Sequence, residues 1–207
     1  MIKNIIFDWS GTLIDDNKEV YKVCTKMFAK LGKEMISYDQ FRREMTVPYM
    51  KFYNKYFPDL TMEKQKELYK EAYRKAEETP LHAGVKDLLQ EWHTKGINLA
   101  IVSSEPSQRI TKEGKKENVL ELFLEIVSDV HEKEEALNKM MIEQNFLPTE
   151  TIFVGDTQGD VEAGKTIDIK TAAISWGIQC EEKLKESEPT VLIKELKELN
   201  LLLDTGI

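Results

Sequence analysis

From Pro80 onward the chain alternates helical stretches with short apolar runs, and that alternation narrows its fold more than any other feature. A helical pattern over residues 85–95 stops at Gly96, and an apolar run over 97–102 then ends in Ser103 and Ser104. The unit repeats as a helix after Pro106, a short strand at 124–127, a helix at 133–144, and a strand at 151–154 closing on Gly155 and Asp156. Two further strands are expected at 170–175 and 190–193, and residues 2–7 read as a buried strand running into the Ser10-Gly11 turn. Apolar strands alternating with helices make a parallel sheet covered on both faces. The expected fold class is therefore α/β, a Rossmann-like doubly wound parallel sheet.

Between the first strand and that alternation the character changes. Residues 17–78 read as helices rich in Lys, Glu, Tyr, Phe and Met, punctuated by Gly32, Pro48 and Pro58. The expected domain plan is a core of residues 1–16 and 79–207 with a helical insertion at 17–78. Within the insertion, Lys18, Lys22, Lys26, Lys30 and Lys33 recur at roughly helical spacing, as one solvated face does. Phe41, Tyr49, Phe52, Tyr53, Tyr56 and Phe57 are expected to form the insertion's own core. Arg42 and Arg43 precede a turn at 45–49. If that turn faces the sheet, one of them, with Arg43 the candidate, would fork onto a substrate carboxylate or second phosphate; otherwise the two are an exposed pair beside Asp39 and Glu44.

A net charge of -8 disfavours nucleic acid or an anionic membrane as partner, and a content of 41% apolar residues in 207 is enough for a sizeable core. The apolar run before Asp8 is too short for a leader or a span, and no later run reaches spanning length. Cys24 and Cys180 stand far apart without metal-ligand spacing, which points to a reduced cytoplasmic compartment. The expected partner is a small molecule, and the chain is expected to be a monomer or homodimer.

In open parallel sheets ligands bind beyond the carboxyl ends of the strands. Asp8, Ser103 and Asp156 all stand at such ends, so one site collects residues far apart in sequence. A carboxylate at a strand end, followed by a tight turn at Gly11 and Thr12 whose amides point back, suits nucleophilic attack on phosphorus. Asp156 and Asp160 lie four apart, so they project toward the same side if the turn after Gly155 leads into a helix, and clustered carboxylates call for a hard cation.

FDWSGTLID, AIVSS, a lysine opening a helix and VGDTQGD occur here in the order of the four motifs of the haloacid dehalogenase superfamily, which the chain resembles over essentially its whole length. The resemblance implies an aspartyl-phosphate on Asp8, and Mg²⁺ held by Asp8, Asp156 and the Ser10 backbone carbonyl, with Asp160 orienting them or binding through water. It also implies phosphoryl contacts from Gly11, Thr12, Ser103 and Ser104, and charge neutralisation by Lys133, with Lys139 on the same helix as the fallback. The insertion then resembles the superfamily's helical cap, and a cap limits substrates to small phosphorylated metabolites.

One position departs from the pattern. Ordinary phosphatases of the superfamily carry a second Asp two residues after the nucleophile, which protonates the leaving alkoxide and then activates water; here that residue is Ser10. Phosphonoacetaldehyde hydrolase, which has a similar D-W-A-G-T, the haloacid dehalogenases and the cation-pumping ATPases also change it. Three readings stand: a substrate whose leaving group needs little protonation, another residue supplying the proton, or slow turnover in what is mainly a phosphate-binding module. Asp15, Asp16, Glu105 and His131 are the candidate substitutes. Carbon–phosphorus cleavage through a lysine imine is the other chemistry, but no insertion lysine is singled out for it.

Overall fold

The computed structural model describes residues 1–74 and 78–205; residues 75–77, which the sequence assigns to the insertion, lie outside the described residues. Six strands form one sheet in the order β3-β2-β1-β4-β5-β6, every neighbouring pair parallel: β1 Asn4–Phe7, β2 Asn98–Val102, β3 Glu125–Val127, β4 Thr151–Gly155, β5 Lys170–Ile174 and β6 Val191–Ile193. This is the doubly wound order, with the chain winding outward from β1 in both directions and leaving its crevice there. Phe7 pairs with Ile101 of β2 and with Val154 of β4, so the residues after these three central strands emerge side by side.

Alternation along the strands builds two cores. Ile5 and Phe7 face a cluster with Trp9, Leu89, Trp92, Ile101, Ile110 and Val154, beneath helices α5 (Val85–Thr94), α6 (Ser107–Glu117) and α10 (Leu199–Thr205). Ile6 points the other way, with Ala100, Phe153, Leu137 and Met140, beneath α7 (Lys133–Glu143) and α8 (Gln158–Thr166). The short α9 (Glu181–Glu186) follows β5.

Between β1 and α5 the described residues form four helices, α1 Asn17–Lys30, α2 Tyr38–Glu44, α3 Met50–Tyr56 and α4 Met62–Tyr73. They bury Val23, Met27, Phe28, Phe41, Phe52 and Tyr53 in a cluster separate from the sheet's two cores. Each such side chain contributes roughly 1.5–3 kcal/mol on burial, so these helices are held chiefly by one another. Gly32 takes φ +79° just beyond α1, and Pro58 follows α3, matching the breaks read from the sequence. The five lysines from Lys18 to Lys33 are all exposed. Strand and helix edges differ from expectation by one or two residues: β1 starts at Asn4 and β2 at Asn98, because pairing rather than apolar character sets where a ladder begins. No helix among the described residues is long and apolar enough to cross a membrane.

Candidate active site

Asp8 continues the ladder by one bond, its amide donating to the Val154 carbonyl at 2.9 Å, and its side chain then turns into the crevice at 5% exposure. Lys133, the first residue of α7, donates from Nζ to Asp8 Oδ1 at 2.9 Å and to Asp160 Oδ1 at 2.5 Å. Asp160 is fixed by a second set of bonds, since its Oδ2 accepts from the amide of Thr157 at 3.0 Å and from Thr157 Oγ1 at 2.6 Å in a capping box that opens α8. The helix cap and a place in the crevice are thus one role for this residue. Asp156 Oδ2 accepts from the amide of Ile178 at 2.6 Å.

Close backbone approach makes this packing possible. A Cβ at Gly11, where φ is +73°, would lie 2.3 Å from Asp156 Oδ2, and one at Gly177 would lie 2.0 Å from Asp156 Cβ. Carboxylate oxygens of Asp8, Asp156 and Asp160 lie within 4.8 Å of one another, all three residues being buried. Three carboxylates face one ammonium, which leaves the site short of positive charge. Burial pushes the Asp8 carboxyl above its ordinary pKa, Lys133 pulling against it and Asp160 adding to it. Burial, then Asp8 and Asp160, push Asp156 well above the carboxylate range. Burial opposes the Lys133 charge, but Asp160 and Asp8 outweigh it and raise its pKa. A buried, all-oxygen donor set with uncompensated negative charge fits a hard divalent cation.

Of the other residues singled out by sequence, Ser103 is buried at the end of β2 with its Oγ accepting from the Glu105 amide at 3.3 Å, and Ser104 beside it is exposed. Thr12 is fully buried, and its Oγ1 has no hydrogen-bond partner. Lys139 pairs with Glu143 on the surface, 73% exposed, so Lys133 and not the fallback reaches Asp8. Arg43 is exposed and lines a surface depression with Cys180, Glu182, Lys183 and Glu186. Arg42, its neighbour, is the one engaged with the sheet domain, through the carbonyls of Ser175, Gly177 and Gln179. Adjacent helical residues point about 100° apart, so α2 directs only one of the pair at that loop.

Around Ser10 the structure assembles a cluster that sequence reasoning passed over. Ser10 Oγ donates to Asp16 Oδ2 at 2.7 Å, and the Gly11 amide donates to Asp16 Oδ1 at 2.8 Å. Arg109 on α6 binds Asp16 Oδ2 through Nη2, Glu105 through Nη1 at 2.7 Å and Glu113 through Nε at 3.0 Å. The Trp9 indole donates to the second Glu113 oxygen at 2.7 Å, and the Tyr73 ring lies 4.6 Å from the guanidinium carbon. Arg109 and Glu113 stand four apart on one face of α6, a local signal, whereas Glu105 lies in the turn before the helix, ahead of Pro106. Of the four candidate proton sources, Asp16 and Glu105 both converge on Arg109. Asp15 is exposed near His82, and His131 is exposed beside Lys66. Burial raises the Glu105 carboxyl, Arg109 lowers it, and Asp16 and Asp8 raise it further.

Arg109→Met should cost about 3–5 kcal/mol, because it strands three carboxylates around an apolar side chain. Chemical denaturation measures it, and a loss below about 1 kcal/mol would mean that water compensates the cluster.

A family model described as haloacid dehalogenase-like hydrolase matches residues 5–174. Among curated proteins, the chain is 24% identical over 218 residues to a phosphoglycolate phosphatase of Aliivibrio fischeri, covering 96% of this chain and 95% of that one. It is 25% identical over 211 residues to the pyrophosphatase PpaX of Listeria innocua, covering 96% and 94%. Among solved structures, a haloacid dehalogenase-like family hydrolase from Streptococcus pneumoniae superposes with a TM-score of 0.81 at 22% identity over 98% of both chains. A hydrolase from Pseudomonas syringae gives a TM-score of 0.81 at 16% identity, again over 98% of both.

Proposed function

The chain belongs to the haloacid dehalogenase-like hydrolase family, and from that premise we propose that it is a Mg²⁺-dependent phosphohydrolase of small phosphorylated metabolites that works through an aspartyl-phosphate on Asp8. The observation that carries the reading is the buried meeting of Asp8, Asp156 and Asp160 around Lys133. Asp8 attacks phosphorus, and the bond to the leaving oxygen breaks as the acyl phosphate forms. Lys133, already bonded to Asp8, draws the incoming phosphoryl oxygens toward the nucleophile and offsets their charge. Ser103, Ser104 and Thr12, with its unpartnered hydroxyl, would surround the phosphoryl group, whereas the Gly11 amide is taken up by Asp16. Asp8, Asp156 and the Ser10 carbonyl would hold Mg²⁺, with Asp160 keeping Lys133 and the α8 turn in place. Bound there, the ion neutralises phosphoryl charge and fixes phosphate geometry. Helices α1 to α4 would cover the crevice and exclude water. The chain acts in the cytoplasm.

The substrate class follows from Ser10. Its hydroxyl is committed as a donor to Asp16, whose own oxygens are taken up by Arg109 and the Gly11 amide, so no carboxyl stands where a leaving alkoxide would take its proton. A phosphoanhydride or acyl phosphate, whose leaving group departs without a proton, suits such a site. Of the two curated relatives, the Listeria pyrophosphatase is named for an anhydride and the Aliivibrio phosphoglycolate phosphatase for an alkyl monophosphate, so the Ser10 geometry and not kinship carries this choice. A panel of pyrophosphate, acetyl phosphate and alkyl monophosphates, with and without Mg²⁺, tests both parts. The expected kcat/KM on the first two exceeds that on alkyl esters by about 10²-fold or more and is lost with chelator. Equal rates on both classes would remove the leaving-group argument, and rates unaffected by chelator would remove the cation.

A further inference from the structure

One loop joins the insertion to the crevice. Arg42 Nη2 lies 3.2 Å from the carbonyl oxygen of Ser175, 3.0 Å from that of Gly177 and 3.1 Å from that of Gln179. An amino nitrogen of guanidinium carries two hydrogens, so three carbonyls around it hold the group as a cation in an oxygen cage as much as by directed bonds. Arg42 Nε is meanwhile buried without a partner, so this cage is what retains the side chain. The same loop grips the other side of the site. Ile178 donates its amide to Asp156 Oδ2 at 2.6 Å, and the missing side chain of Gly177 lets the loop lie against Asp156.

The carbonyl that faces Arg42 and the amide that faces Asp156 belong to one peptide unit, Gly177–Ile178. In a planar trans peptide the C=O and N–H point in opposite directions, so turning one end turns the other. A cation on the carbonyl also polarises the unit and strengthens its amide as a donor. Gln179 adds a second tie, accepting from the Gln158 amide at 2.7 Å and donating to the Met45 carbonyl at 2.9 Å. Asn17, at the start of α1, donates to the Trp176 carbonyl at 3.0 Å.

We propose that Arg42 is a positioning residue that sets the Asp156 carboxylate for the divalent cation through the Gly177–Ile178 peptide, so that docking of the insertion and completion of the cation site are one event. The proposal rests on the reading of Asp156 as a cation ligand. It assigns Arg42 no contact with substrate.

Direct Mn²⁺ binding to the substrate-free protein, followed by electron paramagnetic resonance or calorimetry, tests it without recourse to turnover. Arg42→Gln, which keeps a donor but loses the charge, is expected to weaken Mn²⁺ about tenfold, the usual size of an effect exerted through a ligand's own partner. Arg42→Lys, whose ammonium also fits a cage of three carbonyls, is expected to stay within about threefold of wild type. Millimolar guanidinium should restore binding to Arg42→Ala, and NaCl at equal ionic strength should not. Unchanged Mn²⁺ affinity in folded Arg42→Gln, or equal losses in the Lys and Gln variants, would overturn the link. A wild-type chain that binds no Mn²⁺ would instead overturn the cation site itself, and the proposal with it.

Discussion

Asp8→Asn is expected to lower turnover of any phosphorylated substrate by at least about 10⁴-fold, the scale seen when a covalent nucleophile is removed from an otherwise intact site. The amide matches the carboxylate in shape and still accepts from Lys133, but its oxygen is too weakly nucleophilic to attack phosphorus. Lys133 keeps its second partner, Asp160, so the α7 terminus stays in place. The variant should fold at least as well as wild type, because it removes one of three buried carboxylates that crowd one ammonium, and burial already disfavours the charge on Asp8. Acid quenching with ³²P-labelled substrate should show label on the wild-type chain and none on the variant. Turnover within tenfold of wild type would end the case for Asp8 as nucleophile. A wild type that binds phosphate but never turns over would favour the binding-module reading instead.

The parts of the site that could be read from the sequence are those fixed by local rules. Asp8, Ser103 and Asp156 are legible as neighbours because strand ends in a parallel sheet share one edge, and β1 pairs in register with β2 and β4. Gly11 was legible as a turn, though not that its missing side chain makes room for Asp156 across the sheet. Lys133 could be taken over Lys139 only on motif order, and the structure separates them by exposure. What escaped was nonlocal. Arg109 meets Asp16 across ninety-three positions of sequence, and nothing near either residue announces the partner. Which of Arg42 and Arg43 meets the loop after β5 is not legible in the sequence, because the rotation of α2 that decides it is set by the packing of Phe41 into the insertion's core.

That nonlocal contact changes what a repaired Ser10 should do. Ser10→Asp alone would set a carboxylate where a hydroxyl now donates to Asp16 at 2.7 Å, so two acids would compete for one Arg109. Exchanging the pair, Ser10→Asp with Asp16→Ser, keeps the number of carboxylates around Arg109 and leaves a hydroxyl to donate in the reverse direction. The double variant is therefore expected to gain about 10²-fold in kcat/KM on alkyl monophosphates, the lower end of what a placed acid–base group supplies. Pyrophosphate, whose leaving group asks for no proton, should gain less than about tenfold. The single variants should fall short of the double, with a coupling between them that a double-mutant cycle reads directly. Equal gains on both substrate classes would show that proton donation is not what Ser10 lacks. A single Ser10→Asp that matched the double would show that Asp16 places no constraint on the position, and Arg109 would then serve the fold alone.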